Sequence, residues 1–337
     1  MNFKVLIDCF DINFWESCGA NFIDYNLYQT WAYQQIRTET SATKLSRFIV
    51  VREDNYPVMM GQIRIKSLIN FKIGYIQLGP IFQRENMIVN ELPEATKNLR
   101  LSLIEKLGLD VIRINLNVWD DHNELIESFQ RAGFTEAKYY RKYKTFLVSL
   151  EPTKEEIFKK IDSENRRLMR KAEKLGLEFE FSYNEDYFPI LDKMYLEEKQ
   201  RKGFKGIDLK ELWDTQIKLN STEKLELIAV KYEGEIMAIH LSSQVGKTAL
   251  ALLNVSSLKS HKLRFANYLW YVAYLSAKEK GNKYYDLGGY DEKLNPNGHL
   301  FKRRMGGVPK QLVPPLDYYK NIFVKLIWFA ISKKYYS

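Results

Sequence analysis

The chain is poor in the residues that build metal centres and nucleophilic triads. It has 337 residues, of which two are cysteine and four are histidine. Cys9 and Cys18 form no CxxC pair and have no histidines at metal-ligand spacing, so the sequence indicates no zinc site. No histidine has a serine or cysteine partner at a recognisable spacing, which leaves a nucleophilic triad unsupported. We therefore expect no metal or redox cofactor, and a reducing cytoplasm fits the cysteine content best.

Long hydrophobic runs are also missing. No stretch approaches the roughly 20 consecutive apolar residues of a transmembrane helix. The first ten residues include Asp8 and lack an apolar core, so we expect no signal peptide. These features favour a cytoplasmic protein, with peripheral contact to a membrane surface left open.

Acidic residues are outnumbered by basic ones. The chain has 51 Lys and Arg against 42 Asp and Glu, a net charge of +9, and its apolar content of 45% is normal for a folded protein. This excess favours an anionic partner, such as phosphate groups, nucleic acid or an anionic lipid surface. A basic surface without any such partner is the equally acceptable alternative.

One order of elements occurs twice along the chain. The first half is predicted to contain strands 48–51, 58–65 and 73–78, helix 91–107, strand 111–116, helix 124–132 and strand 145–150. The second half is predicted to contain strands 225–232, 236–244 and 248–255, helix 265–280 and strand 284–286. Hairpin, third strand, helix and strand follow each other in both halves, which predicts two copies of one α/β unit. We place the boundary at the proline-containing break after residue 150, giving domains 1–150 and 151–337.

Two helices with basic faces are predicted in the second domain. Thr153 and Glu156 are spaced as a capping box, and the helix they start is predicted to run to Leu175. Its basic side is either a solvated face or a binding surface for phosphates. The basic residues on this side are Arg166, Arg167, Arg170, Lys171 and Lys174. A second amphipathic helix with a lysine rim is predicted at about 319–336. It could lie on an anionic membrane, but we favour its capping the second domain.

Two glycine-rich segments near the end of the chain indicate chemistry. Tyr284-Tyr285-Asp286-Leu287-Gly288-Gly289 is followed by Phe301-Lys302-Arg303-Arg304-Met305-Gly306-Gly307. Glycines let the backbone turn sharply and approach a ligand closely. Lys302 could stabilise the oxyanion of acyl transfer or a donor phosphate, and Asp286 could accept or orient the proton of an attacking amine. The alternatives are a surface lysine and a turn aspartate that bonds its own backbone.

These and three other segments resemble the Fem-type proteins. The additional segments are Gln29-Thr30-Trp31 leading to Arg37, Tyr75-Ile76-Gln77-Leu78-Gly79-Pro80, and Asn165-Arg166-Arg167 running into Arg170-Lys171-Ala172. Fem-type proteins are peptidyltransferases that add amino acids to peptidoglycan precursors. The resemblance implies an α/β fold of two tandem GNAT-like acyltransferase domains, each with a mixed sheet flanked by helices.

The resemblance also implies substrates and site residues. The donor would be an aminoacyl-tRNA, and the acceptor an amine of an anionic envelope precursor carried on a nucleotide- or lipid-linked sugar. Lys302 and Asp286 would be the catalytic residues. The substrate-binding residues would be Arg37, Tyr75, Arg201 and Arg166, with Arg37 standing where the family has a lysine. Arginine keeps the charge but presents a planar fork.

Two other functions remain open at the level of the sequence. An acyl-CoA-dependent N-acyltransferase of exopolysaccharide or envelope biosynthesis would need a pyrophosphate loop at residues 260–267. That segment has no glycine, which argues against close backbone approach to phosphates, although Lys262 and Arg264 could still bind them. The other alternative is a non-catalytic RNA- or membrane-binding module on a GNAT scaffold.

Overall fold

The chain folds into two units, each with its own sheet and core. The computed structural model describes residues 2–68, 71–85, 87–203 and 206–336. The first unit comprises Met1–Tyr143 together with Gln311–Ser337, and the second comprises Lys144–Lys310. The first unit is therefore built from both ends of the chain.

Strands and helices alternate in both units. The strands are β1 (Phe3–Ile7), β2 (Lys44–Arg52), β3 (Pro57–Leu68), β4 (Phe71–Gln77), β5 (Val111–Asn115), β6 (Thr135–Glu136), β7 (Lys144–Ser149), β8 (Glu178–Ser182), β9 (Glu226–Tyr232), β10 (Glu235–Ser243), β11 (Thr248–Ser256), β12 (Tyr284–Asp286), β13 (Val308–Gln311) and β14 (Leu316–Tyr319). The α-helices are α1 (Ile12–Gly19), α2 (Trp31–Glu39), α3 (Leu92–Leu107), α4 (Asn123–Arg131), α5 (Lys154–Lys160), α6 (Ser163–Ala172), α7 (Phe188–Lys202), α8 (Leu209–Lys218), α9 (Leu258–Leu263), α10 (Ala266–Glu279), α11 (Pro296–Arg304) and α12 (Ile322–Tyr336).

The two seven-stranded sheets follow the same plan. Their strand orders are β1-β2-β3-β4-β5-β14-β6 and β8-β9-β10-β11-β12-β7-β13. In each sheet the fourth and fifth strands are parallel, β4 with β5 and β11 with β12. The helix that connects them, α3 or α10, packs its apolar face on the sheet and forms the centre of a hydrophobic core. The predicted repeat of one α/β unit is confirmed.

In each sheet the first five strands follow one another in chain order, and the sixth strand does not continue that order. In the second sheet it is β7, which pairs antiparallel with β12. In the first sheet it is β14, which pairs antiparallel with β5. A buried ion pair holds β14 in place, because both nitrogens of the Arg113 fork donate to the Asp317 carboxylate at 2.7 Å. The chain thus leaves the first sheet before completing it and returns at its end.

This exchange corrects two sequence-based expectations. The boundary lies at residue 144 rather than 151, since β7 belongs to the second sheet. The C-terminal helix α12 does not cap the second domain; it follows β14 and packs on β5 and β14 of the first unit. The predicted helix 153–175 is also interrupted. Ile161 is extended, and the Asp162 side chain caps a new helix, α6, by accepting from the Glu164 N–H at 3.0 Å.

Candidate active site

A sharp turn follows the short central strand β12. The buried Asp286 ends the strand, and its Oδ1 accepts a hydrogen bond from the Gly288 N–H at 2.7 Å. Gly288 has φ +76°, and a Cβ there would lie 3.1 Å from the Ala251 carbonyl oxygen. The turn therefore needs glycine for its backbone conformation and for its close contact with β11. Asp286 thus bonds to the backbone of its own turn, which is the alternative role that the sequence analysis considered for it.

Lys302 crosses from α11 to this turn. Its Nζ donates to the Gly288 and Gly289 carbonyl oxygens at 2.7 and 2.8 Å. Burial lowers the pKa of Lys302 to about 8, and the negative charge of Asp286 opposes that shift. An ammonium has three donors. Among the described residues two are used by these carbonyls, which leaves one to bind an oxygen of a substrate.

Strand β7 supports the turn from the other side. The Thr145 hydroxyl donates to the Asp286 carboxylate, and Thr145 is fully buried. The second double glycine lets α11 approach the same strand, since a Cβ on Gly307 would lie 2.6 Å from the Phe146 Cβ. Sequence reasoning missed Thr145, because this residue lies 141 residues before its partner Asp286.

A cavity of about 240 Å³ lies at the N-terminal end of α10. Its wall includes Asn254 and Ser256 of β11, Arg264, Asn267 of α10, and Phe301, the neighbour of Lys302. Arg264 takes the left-handed conformation at φ +54°, as the residue that ends α9. The cavity therefore has a mixed lining, with polar side chains of β11, α9 and α10 and apolar ones that include an aromatic ring of the Lys302 helix.

A buried histidine links the cavity wall to β12. His240 Nε2 lies 2.7 Å from the Tyr285 hydroxyl, and its Nδ1 lies 3.4 Å from Asn254 Oδ1. Burial lowers the pKa of His240 to about 4, so the ring is neutral at pH 7. Sequence reasoning found no partner for His240, because Tyr285 and Asn254 are brought to it only by the pairing of β10, β11 and β12.

The other basic candidates of the second unit are spread over several elements. Arg166 binds the Lys159 carbonyl at 2.8 Å and also the Ile161 carbonyl, so it holds together the break between α5 and α6. Arg201 is exposed in the last turn of α7, and Lys262 is exposed on α9. Arg264 alone of these four lines the cavity. Their roles in substrate binding stay predictions.

The remaining two candidates lie in the first unit. Arg37 is exposed in the last turn of α2. Tyr75 is half-buried on β4, where its hydroxyl accepts from Asn115 Nδ2 at 2.9 Å and its ring lies 5.3 Å from the Arg64 guanidinium carbon. Asn115 and Arg64 come from the strands on either side of β4. The sequence missed both, because only the sheet register places them beside Tyr75.

No metal centre is visible in the described parts of the chain, where no three His, Cys, Asp or Glu side chains converge. The site is a cationic one: a half-buried lysine held by two glycine carbonyls, near a buried carboxylate, with a cavity of mixed polar and apolar lining formed in part by the neighbouring Phe301.

Part of the second unit matches a known family, and the fold as a whole matches solved structures. Residues 159–303, within the second unit, match the family model described as an acetyltransferase (GNAT) domain. A search of curated proteins finds no match to the sequence. Over its whole length the chain has the fold of FemX: the two superpose with a TM-score of 0.84 over 98% of this chain and 100% of that one, at 16% identity. The resemblance to Fem-type proteins is thereby confirmed at the level of the fold.

Two further solved structures share the fold more loosely. One is a conserved protein of unknown function from Bacteroides thetaiotaomicron, with TM-score 0.55, 9% identity, and coverage of 93% of this chain and 99% of that one. The other is the C-terminal domain of a protein described as a lysylphosphatidylglycerol synthetase from Agrobacterium fabrum. It has TM-score 0.52, 12% identity, and coverage of 94% and 95%.

Proposed function

We propose that the protein transfers an aminoacyl or acyl group to an amine of a cell-envelope precursor. The observation that carries this proposal is the half-buried ammonium of Lys302 at the glycine turn, in a chain with the fold of FemX. The GNAT match of residues 159–303 supports transfer of an acyl group in general. The net charge of +9 supports substrates that are anionic.

The proposed reaction forms an amide from an ester. A neutral amine attacks the ester carbonyl, the bond to the leaving hydroxyl breaks, the nitrogen loses a proton, and the leaving oxygen gains one. The third N–H of Lys302 binds the oxyanion that develops on the carbonyl oxygen, where a fixed cation in a partly desolvated site is most effective. Asp286 acts through its neighbours: it fixes the turn whose carbonyls orient Lys302.

Aminoacyl-tRNA is the donor we favour over acyl-CoA. A pyrophosphate loop presents free backbone N–H groups ahead of a helix. Here residues 260–263 of the corresponding segment lie in α9, and two amides of the segment bind within that turn: Ser260 N–H to the Ser257 carbonyl at 3.2 Å, and Arg264 N–H to the Ser260 carbonyl at 3.1 Å. The side chains of Lys262 and Arg264 remain to bind phosphate. The cavity of about 240 Å³ is below the usual range for drug-sized ligands, so we assign it to the aminoacyl group.

The acceptor is proposed to bind through the first unit. Arg37 offers a fork that fits a phosphate in two-point contact, and Tyr75 with Arg64 and Asn115 offers hydrogen bonds to a sugar or peptide. Arg201, on α7 of the second unit, is proposed separately as a phosphate contact. A nucleotide- or lipid-linked sugar peptide has phosphate, sugar and peptide groups for contacts of these kinds.

The test is a transfer assay with charged tRNA and an amine-bearing muropeptide precursor. Lys302→Ala is expected to lower the turnover by about 10²–10³-fold, the usual cost of losing one oxyanion donor. The matched control is Arg303→Ala, since Arg303 is exposed on the same helix; its turnover should stay within about twofold. Unchanged turnover in Lys302→Ala, with an unaltered melting temperature, would refute the role of Lys302.

A thermal-shift titration separates the two donors. A ligand that binds only the folded state stabilises it by about 2.7 kcal/mol at one hundred times its dissociation constant. Acetyl-CoA at millimolar concentration should therefore leave the melting temperature unchanged if the donor is aminoacyl-tRNA. A saturable rise that is lost in Arg264→Ala would favour the acyl-CoA-dependent enzyme instead.

A further inference from the structure

The C-terminal helix α12 has two apolar faces, and only one of them is covered by the first unit. Trp328 packs with Ile73 and Val111 of the sheet, and Val324 and Ile331 join the same cluster. The Trp328 indole N–H donates to Asp317 Oδ2 at 3.0 Å. These contacts fix which side of the helix faces the sheet.

The opposite face carries four large apolar side chains into solvent. They are Ile322, Phe323, Leu326 and Ile327, with exposed fractions of 60%, 73%, 59% and 52%. Counted from Ile322, the other three follow at one, four and five positions, which places all four on one stripe of an α-helix. Single exposed apolar residues are ordinary, but a continuous stripe of this kind marks an interaction surface.

The charged side chains of the segment that carries this outer face have one sign. Residues 318–337 contain four lysines, Lys320, Lys325, Lys333 and Lys334, and no Asp or Glu. Lys320 lies 3.6 Å from Asp110 of the first unit, and the Lys325 ammonium lies over the rings of Tyr319 and Phe329. Lys333 and Lys334 follow the stripe on the same side of the helix, since they continue its periodicity. The surface is therefore apolar with a cationic border.

We propose that this outer face binds the surface of an anionic lipid bilayer. The four apolar side chains enter the boundary between headgroups and acyl chains, and the lysines pair with anionic headgroups. A helix of 15 residues is about 22 Å long, and none of the described helices is long and apolar enough to cross a membrane. The helix accordingly lies parallel to the surface, held to the protein by its inner face.

The charge pattern selects lipid over a second copy of the chain. Pairing two outer faces would bring the lysines of both helices together, and like charges at close range oppose association. An anionic bilayer instead supplies the opposite charge across the whole face. Membrane docking does not depend on the proposed chemistry of the second unit.

The experiment is vesicle flotation with the full-length protein at 0.15 M salt. Vesicles of phosphatidylcholine with 30% phosphatidylglycerol should carry the protein, and pure phosphatidylcholine vesicles should bind at least tenfold less. The double variant Phe323→Glu/Leu326→Glu should lose tenfold or more of the binding to the anionic vesicles. The matched control is Leu101→Glu/Ile217→Glu, which changes two exposed apolar residues on other helices and should bind within about twofold of wild type.

The lysine border is tested separately by Lys333→Gln/Lys334→Gln, which keeps the apolar stripe. This variant should weaken binding to anionic vesicles by roughly tenfold or more. It replaces the double glutamate variant as the test if circular dichroism shows that the glutamate variant does not fold. Failure of wild type to float with anionic vesicles would overturn the proposal. So would equal binding to neutral vesicles, or a dimer in light scattering that Phe323→Glu dissociates, which would assign the face to a second copy.

Discussion

The charge of Lys302 should be unusually easy to remove. Its Nζ is held by two carbonyl oxygens at 2.7 and 2.8 Å in a partly desolvated place, and burial lowers its pKa from 10.5 to about 8. With that pKa, about 90% of Lys302 is charged at pH 7 and about 10% at pH 9. Asp286→Asn should lower the pKa further, because the carboxylate is the group that opposes the effect of burial.

The pKa can be measured without any substrate. Protein labelled with ¹³C and ¹⁵N at the lysine side chains is titrated between pH 6 and 11 by nuclear magnetic resonance, and the Lys302 signal is assigned by its loss in Lys302→Arg. A midpoint near 8, moving downward in Asp286→Asn, is expected. A midpoint near the ordinary value of 10.5 would refute the reasoning, since it would show that the turn does not desolvate the ammonium.

The same ionisation sets the pH dependence of transfer. If the charged form binds the oxyanion, turnover falls about tenfold per pH unit above pH 8. Lys302→Arg should remove this decline, because arginine keeps its charge throughout this range. The measurement is the pH profile of single-turnover transfer, corrected for spontaneous hydrolysis of the donor ester. A wild-type profile that stays level to pH 10 would contradict a role for the charge.

Two predictions concern stability. Asp317→Ala should lower the free energy of unfolding by about 3–5 kcal/mol, because it leaves the buried Arg113 guanidinium without its counter-charge. The control is Glu279→Ala, which removes an exposed ion pair with Lys154 and should cost less than about 1 kcal/mol. Urea denaturation of both variants measures the difference. His240 has a pKa of about 4 in the folded state against 6.5 in the unfolded state. Its contribution to the free energy of unfolding is therefore complete above pH 6.5 and is lost as the pH falls towards 4, because only the unfolded state then binds a proton; the total loss is about 3 kcal/mol. His240→Gln should flatten that part of the stability curve, and an unchanged slope would show that another group causes it.

Local sequence signals predicted the elements that carry them. Helix 91–107 was placed within one residue, because Gly108 ends it in the left-handed conformation at φ +67°. Strand 284–286 was predicted with its observed bounds, since an aspartate and two glycines stop an apolar run there. The short strand β1 and helices α7 and α8 were not predicted. Tertiary packing, rather than local pattern, holds such elements.

The candidate site divides in the same way. Lys302 and Asp286 could be proposed together from the sequence because they are 16 positions apart and each is followed closely by a glycine pair. Thr145 could not, since it reaches Asp286 only through the pairing of β7 with β12. Arg166 shows the opposite case: its basic segment predicted a phosphate contact, and the structure gives its guanidinium two carbonyl partners at a break between helices.

The sequence by itself determined the repeated α/β unit, the glycine turn with its lysine, and an amphipathic helix near the C-terminus, because each depends on residues close together in the chain. Only the tertiary structure decided that β7 completes the second sheet and β14 the first, and therefore that α12 docks on the first unit with its apolar stripe outward. Strand pairing is made by backbone hydrogen bonds, which every residue can accept and every residue except proline can donate. The choice of partner thus rests on distant side chains, such as Arg113 and Asp317, which lie 204 residues apart.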